Sequence, residues 1–277
     1  MSGNDEQIDY WNDRGEAAWV PLQDRLDDML RPFGVAALDA VGIERGHRVL
    51  DVGCGCGDTT LELGERVGPE GHVVGLDVSA PMLERARRRT ERQPHVRLVE
   101  ADAQSVDIGS LAVDRVVSRF GVMFFADPAA AFANLRTACR SGGRLGFVCW
   151  QPPKANPWFS FAGRAVGDLI ELERGDPDAP GPFSLHDHRR IAQLLFGTGW
   201  SDVEISAVEQ TLDYGGGGAV EELVQFAIDL GPIGRAIEEH PELETPIRHR
   251  LSEAIEERWS DGHVHLEAAV WVVTASS

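Results

Sequence analysis

The chain predicts a doubly wound α/β fold built on one mostly parallel sheet, and three observations predict it. Five short apolar runs, at 48–52, 72–76, 96–100, 113–118 and 144–150, alternate with segments of helical period as far as Trp150. The first run enters a loop of alternating glycines, Gly53-Cys54-Gly55-Cys56-Gly57, which opens a helix. Acids stand at or just past the ends of the first three runs, as Asp51, Asp77 and Asp102. Parallel strands joined through helices need right-handed crossovers, which put helices on both faces and ligand loops at the carboxyl ends of the strands.

Composition narrows the partners. With 277 residues and 43% apolar content the chain can bury one large core. Its 26 basic and 45 acidic side chains give a net charge of −19, which repels a polyphosphate backbone and argues against nucleic acid as substrate. The basic group Arg85, Arg87, Arg88, Arg89 and Arg92 reads as a solvated helix face. Cys54, Cys56, Cys139 and Cys149 match neither a paired metal motif nor a disulfide framework, so they read as reduced, buried thiols, and no metal is expected. Residues 1–16 are polar and acidic, unlike a secretory signal, and no apolar run reaches membrane-spanning length. A soluble, cytoplasmic protein without a membrane span is the expectation.

In chain order, Tyr10-Trp11 comes first, either as a packing anchor or as a cover over the site. Leu22, Leu26, Met29, Leu30 and Phe33 then share one helical face suited to covering the sheet. After the glycine loop a helix runs to the stop Gly68-Pro69-Glu70-Gly71. Asp77 lies 26 residues beyond Asp51, the distance of a βαβ unit that ends on an acid. A carboxylate there can accept both hydroxyls of a ribose; the alternative, a helix cap, suits Ser79 better. Asp102-Ala103 could meet an adenine amino group or could simply cap its loop. The run 113–118 leads into Arg119-Phe120-Gly121-Val122-Met123-Phe124-Phe125, an apolar connection that needs covering. Asp127-Pro128 opens the next helix, with Phe132, Leu135 and Cys139 inward.

Beyond Trp150 the alternation breaks. Residues 151–199 hold Pro152-Pro153, Trp158-Phe159, a helical run to about Arg174 and a loop rich in Asp, Pro and Gly, together an inserted cap. A sixth strand is expected at 202–212. Glycines 215–218 lead into a second helical insertion, where Ile247, Leu251, Ile255 and Trp259 recur at four-residue steps. A final strand, 264–274, is expected antiparallel to its neighbour at the sheet edge. His186-Asp187-His188 in the cap reads as surface or capping residues and is given no catalytic role.

The glycine spacing does not fit a dinucleotide site, because Asp58 stands where G-x-G-x-x-G needs its last glycine. Asp51 and Asp58 beside the helix N-terminus also disfavour a pyrophosphate and suit a ligand bearing a cation.

Asp51-Val52-Gly53-Cys54-Gly55-Cys56-Gly57, Asp77 with Met82 close behind, Asp102-Ala103 and Arg119-Phe120-Gly121 together resemble the class I S-adenosylmethionine-dependent methyltransferases. They are similar in particular to the ubiquinone and menaquinone C-methyltransferase branch, over roughly residues 45–150 plus the closing strand pair. The resemblance implies a Rossmann-like, seven-stranded sheet with an antiparallel last strand and helical cap insertions, S-adenosyl-L-methionine as cofactor, and a small-molecule acceptor. It implies that Gly53, Cys54, Gly55 and Cys56 lie along the methionine part of the cofactor. It places Asp51 on the ammonium side, Asp77 on the ribose, Met82 beside the adenosine, Asp102 and Ala103 at the adenine edge, and Arg119 beside the methionine moiety. Related quinone enzymes commonly carry a small polar residue at the position of Arg119. Tyr10 is a candidate to close over the cofactor.

One domain spanning 1–277 is expected: 1–45 a helical cover, 46–150 the cofactor-binding core, 151–199 the cap, and 200–277 the strand pair with its insertion 215–263. Phe120, Met123, Trp150, Trp158 and Trp19 are candidates for an apolar, aromatic acceptor pocket, although each taken singly could be core. The catalytic residues stay unassigned, since a general base is needed only when the attacking atom holds its proton tightly. Two alternatives to a methyltransferase acting on a small apolar or aromatic molecule stand open. One is a non-catalytic protein that binds the same cofactor; the other is a nicotinamide-dependent oxidoreductase, which the glycine spacing and Asp58 disfavour.

Overall fold

The computed structural model describes residues 4–13, 15, 19–171, 176 and 179–277. Among the described residues, helices α1 (Asp5–Asn12) and α2 (Gln23–Val41) precede the sheet. Strands β1 (Arg48–Val52), β2 (His72–Asp77), β3 (Val96–Glu100), β4 (Val113–Arg119) and β5 (Cys139–Trp150) then alternate with helices α3 (Asp58–Val67), α4 (Ala80–Thr90) and α5 (Pro128–Ala138). Local chemistry sets several of these boundaries. Asp127 caps α5 by accepting the amide of Ala130, and Ser79 caps α4 by accepting that of Met82. Gly68 ends α3 with a positive φ.

The first five strands pair in parallel. The chain closes with β6 (Ser201–Asp213), a two-residue β7 (Trp259–Ser260) and β8 (His263–Ser276). The main sheet runs β3-β2-β1-β4-β5-β8-β6, with β7 paired to β8 off this path. β8 is antiparallel to both neighbours, β5 and β6. The last strand therefore lies inside the sheet and β6 forms the edge, where Glu204, Glu209 and other exposed polar side chains discourage further pairing.

The sheet is covered on both faces. Val49, Leu50 and Val52 of β1 are buried, as a central parallel strand requires. α2 lays Leu26, Met29, Leu30, Phe33 and Val41 onto the sheet, and Gly146 of β5 admits Val41, since a Cβ there would come within 2.6 Å of that side chain.

The first insertion carries α6 (Pro157–Ala165) and α7 (His188–Gly197). The second, between β6 and β7, carries α8 (Val220–Leu230), α9 (Pro232–Glu239) and α10 (Glu244–Glu256). The two insertions pack on each other: Tyr214 stands edge-on to both Phe161 and Phe226, and the Arg258 guanidinium lies over Phe161. Two expectations change here. α6 ends at Ala165 rather than near Arg174, and residues 172–175 lie outside the described residues. Ile247, Leu251 and Ile255 are buried along α10, but Trp259 is 43% exposed because the helix has already stopped and the chain has entered the β7–β8 hairpin.

Candidate functional site

Two adjoining cavities open at the carboxyl ends of the parallel strands. The first is built on the glycine loop. The amides of Gly53 and Cys54 both donate to the Leu76 carbonyl, at 2.8 and 3.1 Å, which fastens the loop to β2. Gly53 has φ +66°, and a Cβ on it would stand 2.8 Å from Cα of Gly121. The loops after β1 and β4 therefore touch backbone to backbone, which only glycine permits. Gly55 contrasts with this: the nearest atom to a Cβ there is Met82 Sδ at 3.9 Å, so its surface stays open.

The strand-end residues converge on this space. Gly53, Cys54, Gly55, Cys56, Asp77, Met82, Asp102, Ala103 and Arg119 all line the first cavity. Asp77 is nearly buried; its Oδ2 accepts the Gly55 amide at 2.7 Å and its Oδ1 the Ser79 amide at 2.9 Å. Burial raises its pKa against these backbone hydrogen bonds. Asp102 caps its own loop, accepting the Gln104 amide and the Ser105 hydroxyl, and it also accepts from Asn4 at 2.9 Å. Loop cap and cavity wall are thus one residue. Burial pushes the Cys56 thiol up to about 12 and the Cys54 thiol well above its usual value, so both stay protonated.

Asp51 and Tyr10 sit elsewhere than the sequence suggests. Asp51 is 1% exposed and lies beneath the loop, off the walls of both cavities. Its Oδ2 accepts the Thr60 hydroxyl at 2.6 Å, while its Oδ1 is buried without a partner. Tyr10 lines the second cavity, and from the same helix it is Gln7 and Trp11 that reach the first.

Burial raises the Asp51 carboxyl to about 7, offset in part by the Thr60 hydrogen bond and by Arg119. The native protein therefore keeps this proton up to about pH 7, whereas the unfolded chain releases it near pH 4. Between those values the native state binds more protons, so the contribution of Asp51 to stability falls as pH rises from about 4 to 7. Asp51→Asn is expected to remove that part of the slope, read from urea midpoints of both proteins at pH 5 and pH 7.5; equal slopes would show Asp51 ionised throughout.

Asp58 does not face the ligand space. Its carboxylate meets Arg31 at 2.8 Å, Arg89 at 3.2 Å and Arg119 at 2.9 Å. Arg89 and Arg119 also hold Asp27 of α2, at 2.7 and 2.8 Å. Burial raises Asp27, but Arg119 beside it outweighs this with help from Gln23 and Arg89, and its carboxyl lies below the usual range. Asp58 therefore does not select a cationic ligand, because three guanidiniums already neutralise it. Arg89 likewise leaves the solvated face assigned to its helix, whereas Arg87 and Arg88 pair, among the described residues, with Glu84. The charge of Arg119 is matched by acids on two other elements, Asp27 of α2 and Asp58 of α3. One signal for Asp27 was available: an acid beside the apolar stripe of Leu26 and Leu30 needs a partner when buried.

The second cavity has a free volume of about 470 Å³, against about 130 Å³ for the first. The two share Gln7, Trp11, Trp19, Leu30, Phe120 and Phe124. Phe120, Met123, Trp150, Trp158 and Trp19 all line the second. Phe120, with φ +63°, stacks on Trp150 at 4.3 Å, and Trp150 in turn stands edge-on to Trp158 at 5.3 Å. The other walls come from the segment 180–182 and from Ala227, Leu230, Gly231, Pro232 and Ile233 of the second insertion. His186, Asp187 and His188 line neither cavity; Asp187 caps α7 by accepting the Arg189 amide.

A parallel sheet of this order, closed by an antiparallel strand and carrying its cavity over a glycine loop after β1, is the fold of class I S-adenosylmethionine-dependent methyltransferases. Comparison with known proteins agrees. Residues 49–143 match the family model described as a methyltransferase domain. A demethylmenaquinone methyltransferase from Staphylococcus epidermidis is 25% identical over 177 residues, 60% of this chain and 73% of that protein. An uncharacterised 37.1 kDa protein in transposon TN4556 of Streptomyces fradiae is 37% identical over 118 residues, 43% of this chain; the match spans only 34% of that protein. The crystal structure of geranyl diphosphate C-methyltransferase from Streptomyces coelicolor A3(2) covers 100% of this chain and 98% of its own, with TM-score 0.57 and 15% identity, which shows the shared fold. The chain carries a class I S-adenosylmethionine-dependent methyltransferase domain, with distant similarity to the menaquinone and ubiquinone C-methyltransferases and with S-adenosyl-L-methionine as methyl donor. Among the described residues, no helix is long and apolar enough to cross a membrane.

Proposed function

We propose that the protein transfers the sulfonium methyl group to a small, uncharged, apolar or aromatic acceptor by in-line displacement. The second cavity carries this reading. Nine of its lining residues are aromatic, and among the described residues none is Asp, Glu, Lys, Arg or His. In a chain of net charge −19 such a wall favours a neutral ligand, because an ion would lose its hydration without gaining a partner. The wall shared with the first cavity supports the alignment of nucleophile and methyl, at about 3 Å, on which displacement chiefly depends. With no carboxylate or imidazole on those walls, the reading assigns catalysis to orientation and exclusion of water. The name of the staphylococcal relative specifies a quinone, which is consistent with a ring-bearing acceptor.

Within the donor site this reading gives Asp77 the ribose hydroxyls and sets Met82 beside the adenosine. Asp102 and Ala103 take the adenine edge, and Gly53, Cys54, Gly55 and Cys56 run along the methionine chain. Three guanidiniums against the carboxylates of Asp27 and Asp58 leave a positive excess beside the cavity, which suits the methionine carboxylate. We further read residues 1–277 as one catalytic unit, in which 1–45 and the two insertions wall the acceptor space over the 46–150 core. Four unpaired cysteines support a reducing, cytoplasmic location.

The test is a labelled-methyl screen over neutral phenols and quinols against amines and carboxylic acids, with S-adenosylhomocysteine binding followed by thermal shift. Saturation at 100 times Kd should stabilise the fold by about 2.7 kcal/mol. Transfer to neutral aromatics supports the proposal, and transfer confined to charged acceptors overturns it.

A further inference from the structure

The phenol of Tyr214 has no task in the fold or in the cofactor site. Tyr214 follows β6 at the head of a tight reversal, in which residues 215–218 are glycines that all take positive φ. Arg25 of α2 pins the reversal by donating to the carbonyls of Gly215 and Gly217, at 2.7 and 2.9 Å. The ring is held edge-on by Phe161 at 5.3 Å and by Phe226 at 5.1 Å. Its position is therefore set from three separate segments.

Tyr214 is 3% exposed and lines the second cavity, yet its hydroxyl makes no hydrogen bond to any described residue. A hydroxyl that still meets solvent at a cavity wall is free to bond a ligand there, and a ligand that displaces the water without offering it a partner does so at a cost. The other hydroxyl on these walls, that of Tyr10, belongs to a residue 46% exposed. Trp158 Nε1, on the same walls, is a second donor without a partner, so Tyr214→Phe is what separates the two. Burial raises the Tyr214 phenol further above its ordinary range, so it keeps its proton and is able to donate.

We propose that Tyr214 selects the acceptor, donating a hydrogen bond to a lone-pair oxygen on an otherwise apolar, uncharged molecule held in the second cavity. This rests on the reading of that cavity as the acceptor site. Tyr214 is then a specificity-determining residue: a hydrocarbon of the same shape leaves the hydroxyl stranded.

Titration calorimetry on the full chain saturated with S-adenosylhomocysteine tests this, with naphthalene, 2-naphthol and 2-methoxynaphthalene as probes. The last accepts a hydrogen bond but cannot donate one. The wild-type protein should bind both oxygenated probes about tenfold more tightly than naphthalene. Tyr214→Phe keeps the ring between Phe161 and Phe226, so the preference should shrink to about twofold or less while the affinity for S-adenosylhomocysteine is unchanged. An undiminished preference in Tyr214→Phe overturns the assignment of Tyr214 and leaves the acceptor cavity standing. Wild-type binding of 2-methoxynaphthalene no tighter than that of naphthalene overturns the direction of the hydrogen bond without recourse to any variant. Failure of all three probes to bind protein that does bind S-adenosylhomocysteine overturns the acceptor-cavity reading, and the inference with it.

Discussion

Replacing Arg119 with methionine is expected to lower stability by roughly 3 to 5 kcal/mol, the scale for breaking a buried, hydrogen-bonded ion pair. Methionine keeps most of the packing against Gly34, where a Cβ would already meet Arg119 Cδ at 2.9 Å, and so isolates the charge. The loss falls unevenly. Asp58 retains Arg31 and Arg89, whereas Asp27 retains Arg89 alone among its cationic partners, and both carboxylates are almost wholly buried. Adding Asp27→Asn to the variant should therefore recover part of the stability, although either change by itself is destabilising. Urea midpoints with unchanged slopes read this directly, and an unaltered midpoint for Arg119→Met would mean that the cluster is worth no more than a surface pair. Cofactor binding should weaken as well, because the positive excess beside the first cavity disappears.

Asp77→Ala is expected to weaken S-adenosylmethionine by about 100-fold or more, on the scale of two hydrogen bonds to a charged group. The sequence suggests a variant whose fold is otherwise untouched. The geometry adds a second effect, since the same carboxylate receives the amides of Gly55 and Ser79 and so ties the glycine loop to the start of α4. Removing it frees two donors, and the loss of a carboxylate that is costly to bury offsets part of that. A drop in the stability of the cofactor-free protein of about 1 kcal/mol should accompany the affinity loss. Calorimetric titration together with urea unfolding separates the two. Full affinity in Asp77→Ala would remove the residue from the ribose site.

Much of the fold was legible because its signals are short-range. The alternation to Trp150, the caps at Ser79 and Asp127 and the stop at Gly68 each depend on a few neighbouring residues. The position of β8 was not legible in the same way: its apolar residues mark a strand, but only the fit between β5 and β6 places it inside the sheet. Trp259 misled for a related reason. Its four-residue step continues the stripe of α10, yet the chain has to turn at Asp261 and Gly262, both with positive φ, to form the β7–β8 hairpin.

The same division runs through the site. By itself the sequence determined the glycine loop and the acids at successive strand ends, because parallel strands bring their carboxyl ends together wherever the apolar runs stop. Nine of the eleven residues nominated for the cofactor line the first cavity, and all five nominated for the acceptor line the second. Only the tertiary structure decided the charge partners. Asp58 reads locally as an acid at a helix N-terminus, and nothing nearby in the chain announces Arg31, Arg89 and Arg119, which come from three other segments. Tyr214 is a turn residue until Phe161 and Phe226 enclose it. Desolvation and ion pairing depend on what surrounds a side chain in space, and that environment does not exist until distant segments have packed.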